Sequence, residues 1–327
     1  MEWMLLLSSI LHTLTEGLGL ATNALLIYLV LTKTPKRLTT YSILILNFAI
    51  CDLLTCVSAF FVQQRLIPGG TGLFYFSHGP CKLFGSLTCY IGYSFMLHCY
   101  SHWLWSLLFS FVYRYYILGH SAPKTRTVVI IITLLYIPSF FQFVTFCFAS
   151  DDVTEVKNLI VKKFGYDVSK ESVSGHLNIF DWKIMFTILH MTLPITPVYT
   201  AILILRRMTL AKLRAERVMS ENSKHLHAQL LKALTIQACL PIFFLIAVIT
   251  YTIGQLGIHN HPLLEYATFL LGSFIPMLSP VTSFYFVRPY RLWIRNRLLC
   301  MYRKTSSQSL TRTTTLYGSQ ETSKGYY

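Results

Sequence analysis

Charge is what this chain has little of. Only 13% of its 327 residues are Asp, Glu, Lys or Arg, about half the roughly 25% of a soluble domain, and this excludes an ordinary water-soluble globule. No C-x-x-C pair occurs among the cysteines at 51, 56, 81, 89, 99, 147, 239 and 300, so neither a zinc ribbon nor a redox centre is indicated. Most of these cysteines fall inside apolar runs, where a free thiol behaves as a small hydrophobe. There is no H-E-x-x-H and no G-x-S-x-G sequence, which removes the usual grounds for an enzyme. No internal repeat is visible and no matched pair of short Gly/Pro-broken helices is read in two halves of the chain, which weighs against a secondary transporter. No basic segment precedes the first apolar run and no small-residue cleavage site follows it. The first helix is therefore expected to act as the targeting element in place of a cleaved signal peptide.

What is present is hydrocarbon-length apolar sequence. About 20 apolar residues span a bilayer as a helix, and seven runs qualify. They predict helices at about 5–31, 41–63, 83–116, 128–149, 184–207, 230–258 and 264–287. A segment at about 289–300 alternates apolar and basic residues at helical spacing and reads as an amphipathic helix on a membrane surface. Residues 301–327 are rich in Ser and Thr and read as a disordered tail. The expected fold is thus all-α, a single seven-transmembrane bundle over residues 1–300. Twenty-one of the 28 Lys and Arg residues fall on one side of these spans. The positive-inside rule makes that side cytoplasmic and places the N-terminus outside. The basic surface also favours anionic lipid; no nucleic-acid partner, cofactor or metal is implied.

Two polar residues within the apolar runs carry the functional reading. Asp52 stands alone in the middle of the second run, and a carboxylate at that depth normally faces the bundle interior and serves a switch or an ion. Arg114 closes the third run among Tyr113, Tyr115 and Tyr116, after a stretch from Leu83 to Val112 without any charged residue. His98 and His102 share a helix face, and His98 lies about 24 Å along the helix from Arg114, at ligand depth. Such histidines more often bond a neighbouring helix than hold a metal.

Several motifs carry a family resemblance. Leu46-Asn47-Phe48-Ala49-Ile50-Cys51-Asp52-Leu53 resembles the second-helix signature of rhodopsin-like G-protein-coupled receptors, and Thr22-Asn23-Ala24-Leu25-Leu26 resembles that of their first helix. Tyr113-Arg114-Tyr115 stands where they have an acid, Arg and Tyr. Cys239-Leu240-Pro241 matches a sixth-helix motif without its Trp. Ser279-Pro280-Val281-Thr282-Ser283 matches the seventh-helix motif with Ser in place of Asn and Tyr. Together with Gly79-Pro80-Cys81-Lys82 and Phe286-Val287-Arg288-Pro289-Tyr290-Arg291, the pattern is similar to the nematode serpentine chemoreceptors of class delta. The resemblance implies a chemosensory receptor in the plasma membrane of sensory neurons. It would bind an extracellular small molecule, an odorant or pheromone, and signal through a heterotrimeric G protein. The alternative is a ligand-gated channel or transporter.

By the resemblance, Tyr113, Arg114 and Tyr115 form the coupling switch, and Asn23, Asp52, Pro241 and Pro280 belong to the bundle core. Tyr113 cannot supply the acid that normally holds the arginine, so other resting partners are expected. Met96, His98, Tyr100, His190, Ile242, Phe243, Phe269 and Ser273 are the candidate ligand pocket. The family's disulfide at the top of the third helix would use Cys81 or Cys89. The loop from Ser150 to Trp182 contains no cysteine, so Cys147 is the expected partner.

Overall fold

Helices dominate because the apolar runs must satisfy their backbone internally within hydrocarbon. The computed structural model describes residues 2–169, 171–215, 221–259, 261–297 and 299; the expected tail and Cys300 lie outside these. The helices are α1 (Glu2–Lys33), α2 (Thr39–Val62), α3 (Ser86–Tyr116), α4 (Thr125–Cys147), α5 (Val153–Phe164), α6 (Trp182–Thr192), α7 (Ile195–Ala215), α8 (Glu221–Gln237), α9 (Ile242–Gln255) and α10 (Pro262–Phe286). Among the described residues, six segments are long and apolar enough to cross a membrane: α1, α2, α4, α6 with α7, α8 with α9, and α10. The seventh span is α3. Its 31 residues measure about 46 Å, and its serines, histidines and tyrosines turn inward against α2, α4 and α7. The chain is a multi-pass membrane protein.

Two spans are broken, each at a proline. Pro194 separates α6 from α7, and Pro241 separates α8 from α9. A proline ring removes one helical hydrogen bond and collides with the carbonyl four residues back. The fifth and sixth predicted helices are therefore each two pieces. After a bend at Val287, residues 288–297 are again helical, as the amphipathic pattern predicts. Tyr290 pins this helix, with its hydroxyl 2.7 Å from Thr34 Oγ1.

The all-α expectation misses a small sheet. Strands β1 (Gln64–Gly69), β2 (Gly72–Ser77) and β3 (Ser172–His176) form an antiparallel sheet in that order. Gly69 pairs with Gly72 across the two-residue turn Gly70-Thr71, and Gly70 takes φ +72°, a left-handed conformation that glycine adopts without strain. Pro68 is tolerated because β1 is an edge strand. Side chains alternate along the strands: Leu66, Leu73 and Tyr75 face the bundle. Ile67, Phe74 and Phe76 face α5, against Val156 and Ile160. The amphipathic α5 is started by Asp152, whose carboxylate accepts from Thr154 N and Glu155 N at 2.8 and 3.2 Å. The sheet is thus covered on both faces and closes one end of the bundle; Arg114 lies at the other.

Candidate functional site

At the arginine end, the last turn of α3 presents Tyr113, Arg114 and Tyr115 in three directions. Tyr113 is buried and stacks on Tyr41 of α2, ring centroids 6.3 Å apart. Arg114 is only 2% exposed, and its guanidinium carbon sits 3.6 Å above the centre of the Tyr41 ring. Tyr115 faces away, 5.0 Å from Lys212 Nζ of α7. An aromatic ring on the neighbouring helix thus stands where a carboxylate would otherwise hold the arginine. A cation over a desolvated ring is worth about 2 kcal/mol. Arg114 Nε and Nη2 are buried and have no hydrogen-bond partner among the described residues. The arginine borders a cavity of about 760 Å³, lined also by Tyr41, Tyr113, His225, His227 and Arg288 and, among the described residues, by no acidic one.

Halfway along the bundle, polar side chains bridge the helices where prolines open them. Pro280 has no N–H, so the Pro276 carbonyl loses its helical donor. Asn23 Nδ2 of α1 donates to that carbonyl at 2.9 Å and to Gly19 O at 2.9 Å. Asp52 is buried beside Ser279, whose hydroxyl accepts from Gln237 Nε2 at 3.1 Å. Asp52, Ser279 and Gln237 therefore link α2, α10 and α8, the last just before the Pro241 break. His102 bonds a neighbouring helix: its Nε2 lies 3.2 Å from Asn47 Oδ1 and 3.1 Å from Ser106 Oγ.

Two cavities lie between this layer and the sheet. The smaller, about 130 Å³, sits directly beneath Leu66, Leu73 and Tyr75 and is lined by Tyr100 and Phe269 among others. The larger, about 390 Å³, includes Tyr100, His190, Pro241 and Ile242. Tyr100, Met191, Phe244 and Val248 wall both. Four of the expected pocket residues line neither cavity. His98 points to α4 and packs 4.5 Å from the Tyr136 ring, with Phe140 and Phe143. Met96 is buried in the core beside Tyr93 and Phe146. Phe243 stacks on Phe274 at 5.3 Å. Ser273 returns its hydroxyl to Phe269 O at 3.2 Å. Depth along α3 follows from residue count, but which way each side chain points depends on helix rotation, and that is what displaces His98. The expectation missed Trp103, Met191, Tyr199, Phe244, Leu245 and Val248. The prolines at 194 and 241, each at a break beside the larger cavity, were the available signal.

The disulfide differs from the expected one. Cys81 bonds Cys89, with Cα atoms 5.1 Å apart, while Cys147 is free. The short helical turn Pro80–Phe84 after β2 folds Cys81 back onto the first turn of α3, so both candidate cysteines meet each other first. The end of α4 is held instead by Tyr90, whose hydroxyl donates to Phe146 O at 2.7 Å.

Comparison with known proteins agrees with this architecture. Residues 8–296 match the model of the serpentine type 7TM GPCR chemoreceptor Srd. Serpentine receptor class delta-18 of Caenorhabditis elegans is 42% identical over 297 residues, covering 88% of this chain and 87% of the relative. Serpentine receptor class delta-19 of the same organism is 40% identical over 294 residues, with the same coverage of each. Squid rhodopsin superposes with a TM-score of 0.58 at 14% identity, over 90% of this chain and 85% of that one; at that identity the likeness concerns the fold. With the sheet-capped cavities at one end and the buried arginine at the other, the chain belongs to the Srd family of serpentine seven-transmembrane chemoreceptors.

Proposed function

We propose that this receptor resides in the plasma membrane of sensory neurons with its N-terminus outside, binds a small odorant or pheromone beneath the sheet, and signals through a heterotrimeric G protein. The observation that carries the coupling is Arg114: a buried guanidinium with donors that no described residue satisfies, bordering a 760 Å³ cavity with no acidic lining among the described residues. Buried donors without partners are costly, and a chain end offering carbonyl or carboxylate oxygens satisfies them. The orientation is supported by the excess of Lys and Arg at the arginine end and by the disulfide at the sheet end, which belongs in an oxidising compartment.

The switch follows from the linkages between helices. A ligand in the larger cavity lies against Pro241, and Gln237 just before that break reaches Ser279 and Asp52. A ligand that prefers one setting of the break shifts the whole bundle toward it. Moving α8 widens the cavity that it shares with Tyr41 and Arg114, and the arginine exchanges the tyrosine ring for the partner. The test is G-protein dissociation in cells that express the receptor, screened with volatile and water-soluble odorants. Arg114→Ala should abolish the response at equal surface expression. A ligand-dependent current in cells lacking G proteins would instead identify a channel.

A further inference from the structure

The roof over the cavities is fastened, not merely laid on. Arg65 of β1 bonds Glu265 of α10 at 2.6 and 2.7 Å, both residues buried. Tyr166 adds a hydroxyl to the same carboxylate at 3.1 Å, and the guanidinium lies 4.8 Å from the rings of Tyr166 and Tyr266. Gln255 at the end of α9 donates to the carbonyls of Gly70 and Gly72 in the hairpin. A solute arriving from above therefore meets a buried ion pair and a packed sheet.

The side wall is different. Both helix pairs that bound the larger cavity are interrupted there, at Pro194 and at residues 238–241. Cys239, Ile242 and Leu245 line the cavity and are at the same time exposed on the outer surface of the bundle, Ile242 by 59% and Leu245 by 54%. That surface is the one that faces the bilayer. Among the described residues the lining contains no Asp, Glu, Lys or Arg. Two of its three hydroxyls are spent, the third being that of Tyr100: Ser101 donates to Gln142 at 2.6 Å, and Tyr199 donates to Ala238 O at 3.2 Å. Two polar atoms of the lining are buried without a partner, Trp103 Nε1 and His190 Nε2.

We propose that the receptor takes an uncharged, largely apolar molecule carrying a single hydrogen-bond acceptor, and that this molecule enters sideways from the bilayer through the gap between the two broken helix pairs. This rests on the reading of the chain as a ligand-operated receptor and adds the class of ligand and its path. Charged ligands are excluded by the cost of burying an unpaired charge. An apolar solute dissolves first in the hydrocarbon, where it is concentrated beside the opening. The acceptor, a ketone or ester oxygen, meets the indole N–H of Trp103. The same apolar chemistry is available from a lipid acyl chain, which lacks the acceptor at that depth, and the test separates the two.

The full-length receptor carrying Cys147→Ser and Cys300→Ser, in nanodiscs of dioleoylphosphatidylcholine, keeps Cys239 as a reporter inside the opening. Thiol labelling at Cys239 is followed by mass spectrometry, with pyrenylmaleimide delivered through the lipid and a sulfonated maleimide delivered in water. The expected result is faster labelling by the lipid-borne reagent and protection by methyl nonyl ketone, with undecane protecting about tenfold less well, as one hydrogen bond is worth. Trp103→Phe should reduce the ketone's protection to that of undecane. Ile242→Trp should slow labelling by the lipid-borne reagent. Faster labelling from water overturns the lateral path. Equal protection by ketone and alkane, or protection unchanged in Trp103→Phe, overturns the acceptor and leaves a site for acyl chains. The readout is thiol chemistry, so it succeeds or fails independently of G-protein coupling.

Discussion

Replacing Tyr41 by alanine removes the ring over which Arg114 sits at 3.6 Å. If that contact holds the resting state with about 2 kcal/mol, its loss moves the resting-to-active ratio roughly thirtyfold. Basal nucleotide exchange per surface receptor should rise accordingly in Tyr41→Ala and stay near the parent level in Tyr41→Phe, which keeps the ring. Unchanged basal exchange in both would mean that the arginine is held by something else. At the same scale, His176 gives the sheet a pH dependence. It is fully buried among Tyr75, Tyr90 and Phe146 and donates from Nδ1 to Ala149 O at 2.9 Å. Burial pushes its pKa down to about 4 from the ordinary 6.5, against the opposing pull of Asp151 and Asp181. The unfolded sheet binds the proton more readily, so the fold loses stability as pH falls from 6.5 toward 4, by on the order of 3 kcal/mol in full. Hydrogen exchange in residues 64–77, corrected for intrinsic rates, should accelerate from pH 7 to pH 5. In His176→Gln that acceleration should shrink.

Elements explain which expectations the sequence supports. Seven apolar runs become seven spans because the thickness of the hydrocarbon sets their length. Asn23 and Pro280 are readable as a pair only through their motifs; the structure adds the reason, a carbonyl freed by one and satisfied by the other. Asn23→Leu should leave that carbonyl buried and unpaired, costing roughly 1–3 kcal/mol, and a lowered melting temperature of the purified receptor would register it. The sheet was illegible because its strands are buried on both faces and so lack the polar alternation that betrays a half-exposed strand. The signal that remained was the glycine-rich turn between two short aromatic and aliphatic runs. The cysteines were misread because bundle height places Cys81, Cys89 and Cys147 together, and only the fold-back of the turn at Pro80–Phe84 decides among them. Alkylation without reduction should modify Cys147 and leave Cys81 and Cys89 untouched until a reductant is added.

At the scale of the whole molecule, the sheet is assembled from distant parts of the chain. About 95 residues separate Ser77 at the end of β2 from Ser172 at the start of β3. At roughly 5–20 residues per second of synthesis, the β1–β2 hairpin waits about 5–20 s for its third strand. During that interval β2 presents an unpaired edge, a template for foreign strands. Glu265, the partner of Arg65, arrives later still, with α10. Biogenesis of this receptor therefore has a long exposed stage early and its closing fastener last, so chains truncated before α10 would carry an unfastened roof and a stranded arginine, a ready mark for quality control.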